Sequence, residues 1–335
     1  MEVSAEQEIQ QIDVGAPHVV ILGAGASYAA FPQGDRNERK LPLMNNFIET
    51  LGIEQLVEKS GLAFSSNNFE DIYSSIHSVT ELSELRKELE DVVYDYFSEM
   101  ELPDHPTVYD HLVLSLRNKD FVATFNWDPF LVQAIRRNGE KFKLPRPLFL
   151  HGNVAVGFCP NGHMMGNSGG YCTSCGERFE NTPLLYPVAE KGYPDSEFIS
   201  RQWATLEALL NKAFMVTVFG YGAPVSDTAA IELLKNAWGT PGSRSMEEFE
   251  IIDIRKEAEL VDTWSPFIHS HHYRVENSFY DSWIANHPRR TGEAYLNQFN
   301  YAKFIENNPL PKDAGFNELW DWYGELQQVE DSQST

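Results

Sequence analysis

Two groups of polar residues directly follow short apolar segments near the middle of the chain. Asn126 and Asp128 come just after the apolar residues 121–125, and His151 follows the apolar residues 148–150. An asparagine can orient water or a sugar hydroxyl, and an imidazole, with an ordinary pKa of about 6.5, can accept a proton near neutral pH. These residue types predict a catalytic group. The alternatives are a helix N-cap for Asp128 and a purely structural role for His151.

A glycine-rich turn follows the apolar residues 18–22. Glycines let a backbone approach a pyrophosphate closely, and the N–H groups at a helix start can bind its oxygens. The dehydrogenase fingerprint needs a third glycine where this chain has Tyr28, and an acid after a second strand where the pattern is helical, so hydride transfer is disfavoured. A turn that serves only the fold is the alternative. The residues expected to bind the dinucleotide here are Gly23, Ala24, Gly25 and Ser27.

All three cysteines lie within one short segment. Cys159 and His163 form one pair of candidate ligands, and Cys172 and Cys175 form a second pair after a glycine-rich stretch. An odd number of cysteines suits metal ligation better than a disulfide framework, and two such pairs can close a tetrahedral site on one Zn²⁺ ion. Closed coordination makes the metal structural. Reduced cysteines without metal are the alternative.

The elements that must position these groups alternate between strands and helices. Five apolar runs predict buried parallel strands, namely residues 18–22, 121–125, 148–150, 214–219 and 249–254. The predicted fold is therefore an α/β Rossmann-like doubly wound parallel sheet. Within one domain of residues 1–335, the predicted parts are a core of residues 14–42 and 117–263, an inserted helical subdomain of residues 43–116, a zinc module of residues 153–182 and a C-terminal helical extension of residues 264–326.

Composition and charge limit the classes of partner. The chain is 42% hydrophobic and 13% aromatic, which is typical of a folded globular protein. Its formal net charge of -23 at pH 7 repels phosphate backbones and anionic lipid surfaces. The sequence has neither an apolar run of about 20 residues nor a signal-peptide pattern. We therefore expect a cytoplasmic protein that binds neither nucleic acid nor membranes.

Taken in order, these motifs resemble the sirtuin family. A Gly-Ala-Gly-x-Ser turn, a Thr-x-Asn-x-Asp strand end, a His-Gly pair and a cysteine-rich module follow one another between residues 19 and 254. The resemblance implies that NAD is the substrate, that Asn126 positions the nicotinamide ribose and that His151 acts as the base on its hydroxyls. Sirtuins carry a structural zinc on four cysteines at this place, whereas His163 replaces one of them here.

The resemblance also implies further contacts to the dinucleotide. Gly220 and Gly222 match a second phosphate and ribose loop, and Asp253 stands where the adenosine ribose is usually held. Ordinary turn chemistry is the alternative for these residues. In the loop of residues 31–42, Arg36 is expected to line the nicotinamide pocket, with a solvated loop charge as the alternative.

Several departures favour a particular branch of the family. Deacylating sirtuins usually have Gln where this chain has Phe125, and they bind the acyl-lysine peptide along a strand where this chain has Pro187 within residues 185–190. Proline lacks the N–H that β-addition needs.

The chain thus looks more like the sirtuin-like NAD hydrolases of bacterial antiphage defence. We expect an NAD hydrolase activated by a partner, such as an ATPase or other defence protein, or by assembly into a homo-oligomer. The alternatives are an NAD-dependent protein-lysine deacylase and a non-catalytic NAD or ADP-ribose sensor.

Overall fold

Six parallel strands form the central sheet, in a computed structural model that describes residues 1–187, 196–223, 227–240, 242–244 and 246–333. The strands of the chain are β1 (Glu2–Val3), β2 (His18–Leu22), β3 (Phe121–Thr124), β4 (Arg146–Phe149), β5 (Val156–Phe158), β6 (Met165–Asn167), β7 (Glu180–Asn181), β8 (Met215–Phe219), β9 (Glu248–Ile252), β10 (Tyr273–Glu276) and β11 (Phe304–Ile305). The sheet has the order β10-β9-β8-β2-β3-β4, and every pairing is parallel. This is the Rossmann strand order, so the predicted α/β doubly wound fold is confirmed.

Helices cover both faces of the sheet and fill the long connections. They are α1 (Ala5–Ile9), α2 (Ala24–Ala30), α3 (Phe47–Leu51), α4 (Glu54–Glu58), α5 (Phe69–His77), α6 (Ser83–Ser98), α7 (Val108–Ser115), α8 (Phe130–Gly139), α9 (Glu197–Leu210), α10 (Thr228–Trp238), α11 (Glu257–Trp264), α12 (Trp283–Asn286), α13 (Thr291–Tyr295) and α14 (Phe316–Gln333). Among the described residues, no helix is long and apolar enough to cross a membrane.

The connection from β2 to β3 contains both a core helix and an insert. All eight residues of α7 are buried, and the helix packs against α2 and α8. It therefore belongs to the layer of helices on the sheet and not to the inserted subdomain, whose predicted range of 43–116 included it. The remaining helices α3 to α6 lie within residues 43–98, which we call the helical insert. Phe47 of α3 stacks on Phe69 of α5 within this insert, with ring centroids 4.1 Å apart.

The sheet extends further along the chain than the sequence predicts. Strand β10 pairs in parallel with β9, placing Tyr273 opposite Phe249 and Glu276 opposite Ile252. It lies in the segment predicted as a helical extension, so that description of residues 264–326 is wrong in this part. The cause is its edge position: all four of its residues are half-buried, and it lacks the continuous apolar run of an internal parallel strand.

Candidate active site and metal centre

An open cavity lies where the carboxyl ends of four parallel strands meet the helical insert. Its free volume is about 270 Å³. The residues that follow β2, β3, β4 and β8 and line the cavity include Gly23, Ala24, Asn126, Asp128, His151, Gly220 and Gly222. The helical insert contributes Met44, Phe47, Glu70 and Phe97. The cavity therefore occupies the point between β2 and β8 where the strand order reverses, which is where open α/β sheets bind ligands.

Strand register brings Asn126 and His151 to the same cavity. Thr124 at the end of β3 pairs with Phe149 at the end of β4, and the Leu150 amide donates to the Thr124 carbonyl at 2.9 Å. Each of the two polar residues stands two positions past its strand end, so both emerge on the same edge of the sheet. Both side chains are largely buried, and both line the cavity.

Hydrogen bonds fix the orientation of the Asn126 amide. Its Nδ2 donates to the Gly23 carbonyl at 2.9 Å and to Ser27 Oγ at 3.0 Å. A carbonyl oxygen only accepts, so the nitrogen must face Gly23. Oδ1 has no hydrogen-bond partner among the described residues, and it is the atom that Asn126 can offer to a hydroxyl or water in the cavity.

Ser27 lies beneath the cavity and does not line it. The side chain is fully buried, and its hydroxyl donates to Asp128 Oδ2 at 2.7 Å. Ser27 Oγ also lies 2.6 Å from the hydroxyl of Tyr109. Tyr109 belongs to α7, and no sequence motif indicates it. Ser27 is predicted to contact the dinucleotide, and the hydrogen bonds of its side chain in the structure support Asn126 and Asp128.

Asp128 contacts the start of α8 and lines the cavity. Its Oδ1 accepts from the Phe130 amide at 3.3 Å, but Pro129 holds the N-cap position, so Asp128 is not the N-cap that the alternative interpretation expected. Burial raises the pKa of Asp128 to about 6, against the opposing effect of the hydrogen bond from Ser27. The carboxyl group therefore becomes ionised as the pH rises through about 6 and carries a negative charge at neutral pH.

His151 faces a carboxylate that the sequence analysis did not select. Its Nε2 lies 3.7 Å from Asp227 Oδ2, which also accepts from the Tyr221 hydroxyl at 3.1 Å. Phe125 packs edge-on against the imidazole, with centroids 4.8 Å apart, and stacks on Tyr221. These contacts limit the movement of the imidazole ring. Asp227 stands directly before α10, seven residues after Gly220, and this spacing from the glycine loop was the available signal.

Two charged residues predicted to bind the dinucleotide are not part of the lining of this cavity. Arg36 is half exposed and forms an ion pair with Asp104 at 3.1 Å, so it is a loop charge, which was the alternative interpretation. Asp253 follows β9 as expected, but its carboxylate is paired with Arg255 at 2.9 Å. Neither lines the cavity. Each charge is paired with a nearby residue of opposite sign. A sequence motif does not indicate such ion pairs.

The glycine loops after β2 and β8 bind each other. The Gly25 amide donates to the Gly220 carbonyl at 2.9 Å, and the Gly23 amide donates to the Phe219 carbonyl at 3.0 Å. The sequence predicts that these two amides bind the pyrophosphate, but both already donate to the loop after β8. Gly25 does not line the cavity, whereas Ala24 is exposed at the first position of α2 and does. The glycines serve the close approach of the two loops.

The approach of these loops gives a sharp prediction for Gly220. It has a φ of +63°, and an added Cβ would lie 2.2 Å from the Ala26 nitrogen and 2.4 Å from the Gly25 carbonyl carbon. We expect Gly220→Ala to lower the free energy of unfolding by about 2–4 kcal/mol, because backbone atoms must shift. Thermal and chemical denaturation will measure this. Gly222→Ala is the control, since no atom lies within 4 Å of its Cβ position, and equal stability of the two variants would contradict the prediction.

Four ligand atoms converge in the small antiparallel sheet formed by β5, β6 and β7. Cys159 Sγ lies 3.5 Å from Cys175 Sγ and 3.7 Å from His163 Nδ1, and Cys172 Sγ lies 3.8 Å from the same nitrogen. A tetrahedral zinc ion with Zn–S bonds of about 2.3 Å and Zn–N bonds of about 2.0 Å requires ligand separations of about 3.5 to 3.8 Å. The residues therefore fit one structural zinc ion.

Each cysteine pair sits on a similar tight turn. The Gly162 amide donates to the Cys159 carbonyl, and the Gly176 amide donates to the Cys172 carbonyl, both at 2.8 Å. Both glycines have positive φ values, of +71° and +78°. The turns are thus formed by the protein backbone itself, and they present the four side chains to a common centre.

Fold and site together define an α/β protein with a Rossmann strand order, a largely apolar cavity that contains polar strand-end residues at the reversal point, and a separate Cys₃His metal centre. No protein-family model matches the chain, and no curated protein matches it. Among solved structures, a Sir2 homologue in complex with NAD is 13% identical, with a TM-score of 0.39 over 90% of this chain and 95% of that chain. A variant Sir2 homologue in complex with ADP-ribose is 13% identical, with a TM-score of 0.38 over 88% and 93%. Sir2 bound to acetylated peptide is also 13% identical, with a TM-score of 0.38 over 85% and 93%.

Proposed function

We propose that this chain is a sirtuin-like enzyme that hydrolyses NAD to nicotinamide and ADP-ribose. The observation that carries the proposal is the convergence of Asn126 and His151 on one cavity at the reversal point of the sheet. The sequence resemblance supplies the substrate, because both residues stand in motifs that sirtuins use for the nicotinamide ribose. Ala24, an exposed residue at the start of α2, is the candidate donor for the pyrophosphate through its amide.

The chemistry proposed for the site is a substitution at the anomeric carbon. The bond between C1′ and the nicotinamide nitrogen breaks, and nicotinamide leaves with the electron pair. Water attacks C1′ and transfers its proton to His151, which releases it to solvent. Asn126 Oδ1 accepts a hydrogen bond from the water or from a ribose hydroxyl and so sets the approach.

Charge in the cavity supports this reaction. Positive charge develops on the ribose as nicotinamide leaves, and fixed negative groups aimed at that position stabilise it. The ionisable residues among the described lining, apart from His151 and Tyr221, are the carboxylates Glu70, Asp128 and Asp227. We propose that Asp227 also restrains the His151 imidazole.

Water is favoured over an acyl-lysine peptide as the nucleophile because of the segment after the zinc module. Pro187 lines the cavity where a peptide would need main-chain donors, and proline supplies none. The remainder of the segment considered in the sequence analysis, residues 188–190, lies outside the described residues. Leu185 donates its amide to the His151 carbonyl at 2.9 Å, so this donor is also used.

One assay separates the three candidate functions. NAD loss is followed with and without an acyl-lysine peptide, using the intact chain, Asn126→Ala and His105→Ala, whose exposed imidazole lies away from the cavity. The proposal predicts peptide-independent NAD loss that Asn126→Ala removes and His105→Ala retains. A strict requirement for peptide would indicate a deacylase, and tight NAD binding without turnover would indicate a sensor.

We further propose that this activity belongs to a bacterial antiphage defence system. Constant NAD hydrolysis would be toxic, so a partner protein or assembly into a homo-oligomer is expected to switch it on. The loop of residues 31–42 is the proposed target, because Leu41 and Pro42 line the cavity. Full activity of the purified chain alone would contradict this regulation while leaving the hydrolase proposal intact.

A further inference from the structure

A buried chain of hydroxyl groups lies directly beneath Asn126. Tyr109 is 2% exposed and Ser27 is not exposed at all, and their oxygens are 2.6 Å apart. Asn126 Nδ2 reaches the Tyr109 hydroxyl as well, at 3.3 Å. Tyr109 does not line the cavity and cannot contact a substrate bound there.

Counting protons assigns a direction to this chain of hydrogen bonds. Ser27 has one proton, which it donates to the ionised Asp128 carboxylate at 2.7 Å. Its oxygen must then accept from Tyr109, and from Asn126 Nδ2 at 3.0 Å. Burial raises the pKa of Tyr109 well above its ordinary value, so the phenol keeps the proton it donates. Each of the two hydroxyl protons in this chain therefore has one acceptor.

We propose that Tyr109 is a positioning residue for Asn126, an inference that rests on the proposed NAD hydrolysis. The Tyr109 phenol donates to Ser27 Oγ and so orients the Ser27 hydroxyl, whose remaining lone pair then accepts from Asn126 Nδ2. With its nitrogen held in this way, Asn126 keeps its Oδ1 turned to the cavity. If the amide rotated by half a turn, Oδ1 would face the Gly23 carbonyl oxygen, and two acceptors would oppose each other. The Gly23 carbonyl thus excludes the flipped amide, and the hydroxyl chain supplies the second acceptor that holds Nδ2 in this orientation before substrate binds.

The chain contains a matched control for removing this hydroxyl. Tyr323 of α14 is also fully buried, and its hydroxyl lies 2.6 Å from Ser115 Oγ on α7. Tyr323→Phe also removes a buried tyrosine–serine hydrogen bond that involves α7. Neither Tyr323 nor Ser115 lines the cavity. A merely structural role for Tyr109 predicts equal behaviour of Tyr109→Phe and Tyr323→Phe.

The test compares these two variants by kinetics and by amide exchange. Tyr109→Phe is expected to lower kcat for NAD cleavage by about tenfold or more and to change KM by less than about threefold, while Tyr323→Phe keeps both constants. The side-chain NH₂ protons of Asn126, assigned in NMR spectra by their loss in Asn126→Asp, are expected to exchange with water at least about tenfold faster in Tyr109→Phe. Equal kcat and equal exchange in the two variants would overturn the inference.

The two measurements separate this inference from the proposed function. If the wild-type chain cleaves no NAD, the hydrolase proposal fails, and the exchange rates still decide the role of Tyr109. Should Tyr109→Phe not fold, Ser27→Ala removes the acceptor of the same proton. Ser27→Ala must then lower kcat for NAD cleavage while changing KM by less than about threefold, as expected for Tyr109→Phe. A change confined to KM would contradict the inference.

Discussion

Replacing His151 with alanine is expected to lower kcat for NAD cleavage by about 10³-fold, with a much smaller change in KM. A positioned general base contributes about 10² to 10⁴ in rate, and no other imidazole lines the cavity among the described residues. The ring is held between Phe125 and Asp227 and is largely buried, so bulk water does not replace it. Initial rates of nicotinamide release, measured at saturating NAD, give kcat directly.

Two controls distinguish lost chemistry from lost structure in the His151 variant. Added imidazole should restore part of the rate, because the shorter alanine side chain leaves space for a small base. Asp227→Asn should lower kcat by a smaller factor, about 10- to 100-fold, since it keeps the base but removes the carboxylate that restrains it. If His151→Ala retains more than a tenth of the wild-type rate, the imidazole is not the base.

The central strands could be predicted because parallel strands inside a sheet are apolar throughout. Strand β2 reads His-Val-Val-Ile-Leu, and all five of its residues are buried. The rule that ligands bind past the carboxyl ends of such strands then selects Asn126 and His151 from the sequence alone. Edge strands give a weaker signal, which is why β10 was missed.

Contacts between side chains that lie far apart in the sequence could not be predicted in this way. Tyr109 reaches Ser27 because α7 packs against α2, and no local pattern indicates that contact. Motif position likewise suggested Arg36 and Asp253 as ligand contacts, although each is held by an oppositely charged neighbour. Spacing along the chain thus identified residues at strand ends, and packing decided which of them face the cavity.

Loss of the zinc ion is expected to unfold the zinc module. The loss of structure is also expected to destabilise the backbone next to the cavity. Val154 and Val156 of the module pack into the main core, and among the described residues its separate cluster of buried side chains is Cys159, Cys172 and Phe179. This cluster is too small to hold the rest of the module in place without a metal. At its base, Asn153 Nδ2 donates to the Asp128 carbonyl at 2.6 Å, and Thr182 Oγ1 donates to the Asn153 carbonyl at 2.8 Å. The module therefore braces the backbone that carries Asp128.

The variant Cys172→Ser tests this coupling, with Ser174→Ala on the same turn as the control. Cys172→Ser should lower bound zinc from about one ion per chain to near zero, measured by elemental analysis, because a serine hydroxyl is a poor zinc ligand. Hydrogen exchange should then lose its protection across residues 153–182 and, to a lesser degree, at residues 126–130. Full protection of residues 153–182 in a zinc-free chain would mean that the small sheet is stable without the metal. Loss of protection confined to that sheet would mean that the Asn153 contacts do not carry the effect to the cavity.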